Sequence, residues 1–378
     1  MSRTRRRRYE LDNPELNEMI ETLIGRAREV YGVQDGADYA RQLIVSAVRL
    51  LRDDSSRGDA KLVNSAFKEL RHAFRVFAPY KHVRKVAVFG SARTPREHSD
   101  WQAAYEFSER MATLGWMTIT GAGPGIMVAA NGGAGREASF GVNIRLPFEQ
   151  QANEVIRGDN KLINFRYFFT RKVIFVKEAH AIALFPGGFG THDEGFEALT
   201  LIQTGKSEIL PVVFIDSPGG SYWKDWEGYV RAHLRDRGLI SDSDLSLFRI
   251  TDDVDVATQE ILNFYKNYHS SRYVDDLLVI RVRRAPDEEE LDALNVEFAD
   301  ILTQGEIEIT DALPRESGEV HHFPRISLRF NRRDMGGLRR LINQLNTLVP
   351  DHSSPQDASP HEIVEETLPP EAENAERE

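Results

Sequence analysis

The stretch Pro186-Gly187-Gly188-Phe189-Gly190-Thr191-His192-Asp193-Glu194 decides how this chain is read. The apolar run Ala181-Ile182-Ala183-Leu184-Phe185 leads into it, and a helical pattern from Phe196 to Gln203 follows. A strand feeding a glycine turn at a helix N-terminus builds a cradle for phosphate, because bare backbone N–H groups and the positive end of the helix dipole point at one spot. Gly187, Gly188 and Gly190 let the backbone approach an anion closely, and Thr191 adds a hydroxyl. Glu194 falls one turn into the helix. A carboxylate so near an anion seat is a poor choice for simple phosphate binding and suits an acid that does chemistry on the ligand. Position alone leaves a second reading open, that of an acid favoured by the helix dipole.

Two further strand ends carry glycine turns. Trp116-Met117-Thr118-Ile119-Thr120 reads as a buried strand and runs into Gly121-Ala122-Gly123-Pro124-Gly125, then Ile126-Met127-Val128-Ala129-Ala130. Val86-Ala87-Val88-Phe89 runs into Gly90-Ser91-Ala92-Arg93. Neither is a GxGxxG, and neither ends in the Gly-Lys-Ser/Thr of a Walker loop. Each alone is compatible with a tight turn. Together they predict a parallel sheet with a ligand crevice along its carboxyl edge.

Pro186 to Glu194 resembles the PGGxGTxxE motif of the LOG family, the cytokinin riboside 5′-monophosphate phosphoribohydrolases long labelled lysine decarboxylases. The resemblance runs from about Lys85 to about Asp216 and includes the Arg171-Lys172 pair. Leu146-Pro147-Phe148-Glu149-Gln150, Asn164-Phe165-Arg166-Tyr167-Phe168-Phe169 and Ala198 to Lys206 are similar to the longer bacterial members. It implies a Rossmann-like doubly wound α/β fold, a homodimer or higher homo-oligomer, and hydrolysis of the N-glycosidic bond of a nucleoside 5′-monophosphate to free base and ribose 5-phosphate. The chain departs from the family at Ala122, where relatives often carry glycine, and at Val128, where the longer ones often carry an acid. His192-Asp193 replaces a leucine-acid step, and Gly195 interrupts the expected helix start at roughly 1 kcal/mol relative to alanine. The Ala122 methyl is expected to narrow the phosphate approach.

Cleaving that bond passes through an oxocarbenium-like state, so the site must hold the 5′-phosphate, place a carboxylate at the ribose and help the base leave. The resemblance makes Glu194 and Arg171 the catalytic pair. Adjacent residues on a helix point about 100° apart, so only one of Arg171 and Lys172 is expected to face the ligand squarely; the resemblance selects Arg171, leaving Lys172 to pair with a phosphate or to snorkel. The phosphate is expected on Gly187, Gly188, Gly190 and Thr191, with Gly121, Gly123 and Gly125 closing over it. Ser91 and Arg93 are weaker candidates for the nucleotide's other end, Asn164 and Arg166 for the base pocket. Phe165, Tyr167, Phe168 and Phe169 read as core, and His192 as a solvent-facing helix residue. No metal motif and no cofactor site is expected.

The 378 residues, 41% of them hydrophobic, suffice for two or three domains. The absence of cysteine excludes disulfide and thiolate chemistry. Of the net charge of −11, the first eight residues contribute +5 and the last 28 contribute −8, which leaves the body at −8. A body that acidic is not a general nucleic-acid binder. No window of 18 apolar residues predicts a membrane span, the basic start lacks the apolar stretch of a secretory signal, and the expected location is the cytoplasm.

Four regions are expected: a basic arm and helical region over 1–80, an α/β catalytic domain over 81–268, a small α+β unit of ferredoxin-like or ACT-like order over 273–348, and a disordered acidic tail over 351–378. Strands are predicted at 84–89, 116–120, 139–144, 180–185, 210–215 and 246–250, with helices at 100–114, 125–135, 162–178, 193–205, 221–236 and 254–267. The small unit reads β-α-β-β-α, with a single strand over 274–282. Two other functions compete with the glycosidase. A nucleotide-binding sensor of the same fold would keep the phosphate loops and be free to lose Glu194 and Arg171. An amino-acid decarboxylase would need a pyridoxal-phosphate site, which no segment resembles.

Overall fold

The computed structural model describes residues 9–32, 35–145, 151–313 and 322–350. The arginine arm over 1–8, the stretch 146–150 and the acidic tail over 351–378 lie outside the described residues. The chain forms two compact units, 1–68 and 69–378.

The first unit is helical, with α1 (Pro14–Tyr31), α2 (Ala37–Arg52) and the start of α3 (Arg57–Phe77). Asn13 caps α1, its side-chain oxygen accepting from the Leu16 N–H at 3.1 Å, with Pro14 at the first helical position. Its small core is Leu11, Ile20 and Val45. Residues 69–77, the last part of α3, go with the second unit.

In the second unit, strands and helices alternate: β1 (Lys85–Phe89), α4 (Ser99–Thr113), β2 (Met117–Thr120), α5 (Ile126–Ala134), β3 (Ser139–Ile144), β4 (Leu162–Phe165), α6 (Phe168–Glu178), β5 (Ala181–Leu184), α7 (Phe189–Gln203), β6 (Val212–Ile215), α8 (Tyr222–Val230), β7 (Phe248–Thr251) and α9 (Val254–Phe264). The seven strands are all parallel, in the order β4-β3-β2-β1-β5-β6-β7. β1, β2, β5 and β6 are buried at every position, as strands covered by helices on both faces must be. Chain order reverses between β1 and β5, so the crevice for a ligand opens where the turns after these strands part.

Two expectations are corrected here. Residues 162–165 form edge strand β4 rather than the start of a helix, which begins only at Phe168. α7 begins at Phe189 instead of 193, so the motif itself supplies its first turn. Gly195 therefore lies inside the helix, where a Cβ would stand 2.9 Å from Cδ2 of Leu184; its lack of a side chain lets α7 pack close on β5.

The chain continues through β8 (Tyr268–Val274), β9 (Leu277–Val282), α10 (Glu288–Glu297), β10 (Leu302–Thr310), β11 (Arg325–Phe330) and α11 (Met335–Thr347). These strands form an antiparallel sheet in the order β10-β11-β9-β8. The predicted single strand over 274–282 is instead the second half of a hairpin that turns at Asp275, whose φ of 57° is left-handed. The order is thus β-β-α-β-β-α, which departs from the ferredoxin-like expectation. Both sheets share one hydrophobic core. Asn346 of α11 accepts from the N–H groups of Asn267 and Tyr268, each at 2.8 Å, and donates to the Phe264 carbonyl at 2.7 Å, which fastens α11 to the end of α9 and to β8.

Candidate functional site

The three glycine turns meet at the switch point and are tied by backbone. Ser91, after β1, donates its N–H to the Pro186 carbonyl at 3.0 Å and accepts from the Ile126 N–H at 3.0 Å. These bonds demand a close approach. Gly125 has φ +65°, and a Cβ there would overlap the Ser91 carbonyl. One on Gly187 would overlap the Thr191 hydroxyl and lie 2.9 Å from the Ser91 nitrogen. At Gly188 and Gly190, by contrast, a Cβ would meet nothing within 4 Å. The motif is thus packed hard on one side and open on the other, where the unpaired N–H groups of the α7 N-terminus gather.

The turn after β2 is braced from beneath. The Thr120 hydroxyl donates to the Asn131 side-chain oxygen at 2.7 Å and accepts from the Ala122 N–H at 3.0 Å. The Asn153 amide donates to the same Asn131 oxygen at 2.9 Å and to the Gly123 carbonyl at 3.2 Å. All three side chains are buried and none was singled out from the sequence. Ala122 has φ +60°, the left-handed region in which glycine is at ease. Its methyl is fully buried among Ala152, Ile156 and Leu162, so it does not narrow the phosphate approach as expected.

α6 brings the cations. Glu69, in the second half of α3, accepts from the Arg166 N–H at 3.0 Å and from the Thr170 hydroxyl at 2.7 Å, and so fixes the start of α6 in place of an N-cap side chain. From there Arg171 reaches Glu194, with Nη2 3.6 Å from Oε1, and Lys172 reaches the other oxygen, with Nζ 3.5 Å from Oε2. The expectation that only one of the pair would face the site is corrected: both long side chains bend onto one carboxylate. Lys172 also binds Asp193 at 2.9 Å and Glu197 at 2.6 Å. Arg171 extends to the second turn as well, since a Cβ on Gly121 would lie 3.9 Å from its Nη1. Its Nε is buried without a hydrogen-bond partner.

Glu194 is 7% exposed. Burial raises its pKa above the ordinary value, against the pull of Lys172 and Arg171. Burial also lowers the pKa of Arg171, opposed by Glu194 and Asp193. For Lys172, burial works against the charge, but Glu197, Asp193 and Glu194 outweigh it and the pKa rises. A desolvated carboxylate between two cations is held where it can answer positive charge developing on a ligand.

Thr191 is buried in the first turn of α7, and its N–H bonds the Gly188 carbonyl at 3.0 Å. The Ser91 hydroxyl accepts from the Arg93 N–H at 3.0 Å, while the Arg93 side chain is exposed. Asn164 sits on β4, three strands from β1 and hence about 14 Å from it. It is bonded to Asn143 at 2.9 Å, and the structure does not bring it to Glu194. The Arg166 side chain is exposed at the same edge. Phe165 is core, but Phe168 and Phe169 are about half exposed, contrary to expectation, because the helix they open lies at the surface. The Arg171 guanidinium stands 5.0 Å from the Phe168 ring centroid.

His192 is half-buried instead of solvent-facing. Its ring lies beside Phe196, Tyr222 and Trp223, and its Nε2 is 2.7 Å from the Tyr222 hydroxyl. That hydroxyl donates to the Gly187 carbonyl. Glu197 was not singled out from the sequence, although its place one helical turn beyond Glu194 is a signal that points to it; Tyr222, on the next strand's loop, carried none.

Residues 125–261 match the family model described as "Possible lysine decarboxylase". No curated protein matches the chain. Among solved structures it is similar to the molybdenum cofactor carrier protein of Chlamydomonas reinhardtii, with 21% identity, 48% of this chain and 98% of that chain covered, and a TM-score of 0.35. The molybdenum cofactor binding protein of Rippkaea orientalis gives 20% identity, 48% and 95% coverage, and 0.34. DNA processing protein A of Helicobacter pylori gives 13%, 47% and 80%, and 0.34. The matched segment holds Arg171, Lys172 and the whole run from Pro186 to Glu194, the residues that carry the resemblance to the LOG family.

Proposed function

We propose that the site hydrolyses the N-glycosidic bond of a nucleoside 5′-monophosphate, releasing free base and ribose 5-phosphate. Adenine nucleotides, AMP or a cytokinin-type N6-modified AMP, are the substrate class that the resemblance favours. The observation that carries this reading is Glu194, buried and bracketed by Arg171 and Lys172 beside the open face of the α7 glycine turn. In the proposed reaction the 5′-phosphate rests on the N–H groups of Gly188 and Gly190, with Gly121, Gly123 and Gly125 opposite. The C1′–N bond lengthens, positive charge grows on the ribose, and the Glu194 carboxylate offsets it. Water adds to C1′, giving up a proton, and the base leaves protonated. Arg171 holds Glu194 in place and extends toward the phosphate side. This chemistry uses groups of the chain alone.

We further propose a cytoplasmic homodimer or higher homo-oligomer, as the resemblance implies; no helix among the described residues is long and apolar enough to cross a membrane. Incubating the purified chain with a panel of nucleoside monophosphates, and scoring free base and ribose 5-phosphate by chromatography, tests the reading. Release from a monophosphate, and none from the nucleoside lacking phosphate, is expected. Nucleotide binding without release from any of them would replace the enzyme with a sensor.

A further inference from the structure

The turn from Pro186 to Gly188 presents three consecutive carbonyl groups, and each is held from a different side. Ser91 holds that of Pro186 through its backbone N–H at 3.0 Å. The Thr191 and His192 N–H groups hold that of Gly188, at 3.0 and 3.2 Å. The carbonyl of Gly187 is held by a side chain, the phenol of Tyr222 at the start of α8. With its proton engaged there, the phenol oxygen accepts, and His192 is the donor through Nε2–H at 2.7 Å. Burial lowers the His192 pKa and so disfavours the charged ring.

A trans peptide plane sets each N–H antiparallel to the carbonyl before it. Fastening the Gly187 carbonyl to Tyr222 therefore turns the Gly188 N–H the other way. Between two glycines the peptide plane can turn over at little steric cost, so nothing local to the turn chooses between the two orientations. The backbone at Gly188 borders open space, and it opens α7, where an anion is favoured. Tyr222 itself is fixed by its surroundings: its ring stands edge-on to buried Trp223 at 4.8 Å, and the backbone N–H of Trp223 donates to the Asp216 carboxylate at 3.0 Å.

We propose that Tyr222, oriented by His192, is a positioning residue that aims the Gly188 N–H at the phosphate of the ligand. The role rests on the nucleotide reading of the site. Tyr222 touches no substrate and acts only through the glycine turn. It makes the affinity for the phosphate depend on a hydroxyl on the neighbouring strand's loop.

Calorimetric titration of the full chain with ribose 5-phosphate reads this without relying on turnover. Tyr222→Phe keeps the ring and removes one oxygen. It is expected to weaken ribose 5-phosphate binding about tenfold, the loss of one hydrogen bond to a charged group, with an unchanged melting temperature. Under turnover the loss falls on KM and not on kcat. His192→Gln, which can still donate to the phenol, retains most of the affinity, and His192→Leu loses part of it. Equal binding by the parent and Tyr222→Phe overturns the positioning role and leaves the glycosidase reading standing. A melting temperature lowered by more than about 5 °C together with the lost affinity marks a structural residue and also overturns it. A parent that binds no ribose 5-phosphate overturns the nucleotide reading and this role with it.

Discussion

Nζ of Lys172 lies 3.5 Å from Oε2 of Glu194, while its chain neighbour Arg171 takes Oε1 at 3.6 Å. Two consecutive helical positions diverge by about 100°, and only the length of these two side chains lets both close on one carboxylate. The pair favours the charged form of a buried acid, and burial, which disfavours it, still outweighs them and raises the pKa.

Glu194→Ala removes the group proposed to face the ribose. Turnover is expected to fall by at least about a thousandfold, with nucleotide binding changed no more than a few-fold. Base release and calorimetry on the same preparation check both halves; parent-like hydrolysis by the variant would remove Glu194 from the reaction.

The acid limb of activity reports the same carboxylate. Burial raises the Glu194 pKa above 4.5, so its charge is lost, as pH falls, earlier than that of an ordinary glutamate. Lys172→Met removes an attraction for the charged form and pushes the pKa further up. The acid limb of kcat/KM should therefore move to higher pH in the variant, and an unmoved limb would contradict the assignment. The stability linkage has the matching sign: a carboxyl with a raised folded pKa contributes stability that is present below 4.5 and is lost as pH rises through the folded value.

Gly125 and Gly188 should respond differently to alanine. At Gly125 the backbone is left-handed and a Cβ would strike the Ser91 carbonyl; Gly125→Ala is expected to cost about 2–4 kcal/mol and to lower the melting temperature. Gly188 has φ −87° and open space before it. Gly188→Ala should melt like the parent and bind ribose 5-phosphate more weakly, because the methyl borders the anion seat. Equal melting of the two variants would refute the contrast.

Ala122 sets two small effects against each other. Glycine would relieve about 1 kcal/mol of left-handed strain and forfeit about 0.8 kcal/mol of buried methyl. Ala122→Gly is thus expected within about 1 kcal/mol of the parent by denaturant unfolding. Ala122→Val, β-branched in a left-handed and fully packed position, should lose about 2–4 kcal/mol.

The central strands were legible because buried parallel strands read as unbroken apolar runs, and glycine turns mark their ends. The edge was less so. Leu162 to Phe169 is apolar enough to pass for the front of a helix, and only its place beside β3 makes the first half a strand. Gly188 and Gly190 argue locally against a helix at Phe189, yet the bonds of Thr191 and His192 to the Gly188 carbonyl start one there. Of the site, Glu194, Arg171 and the glycine turns followed from the motif. Glu69, Asn131, Asn153 and Tyr222 did not, since each acts across the fold on the backbone of a distant segment and leaves no spacing pattern.

The three turns are joined by main-chain atoms, with Ser91 bridging Pro186 and Ile126. Such joints call for no particular side chain, but they exclude a Cβ at Gly125 and Gly187 and are intolerant of a shift in any one segment. A chimera that exchanged one turn for that of a relative would inherit the right residues in a frame spaced for other neighbours. Transplanting the binding properties of this crevice therefore means moving the ends of β1, β2 and β5 together, as a single cassette.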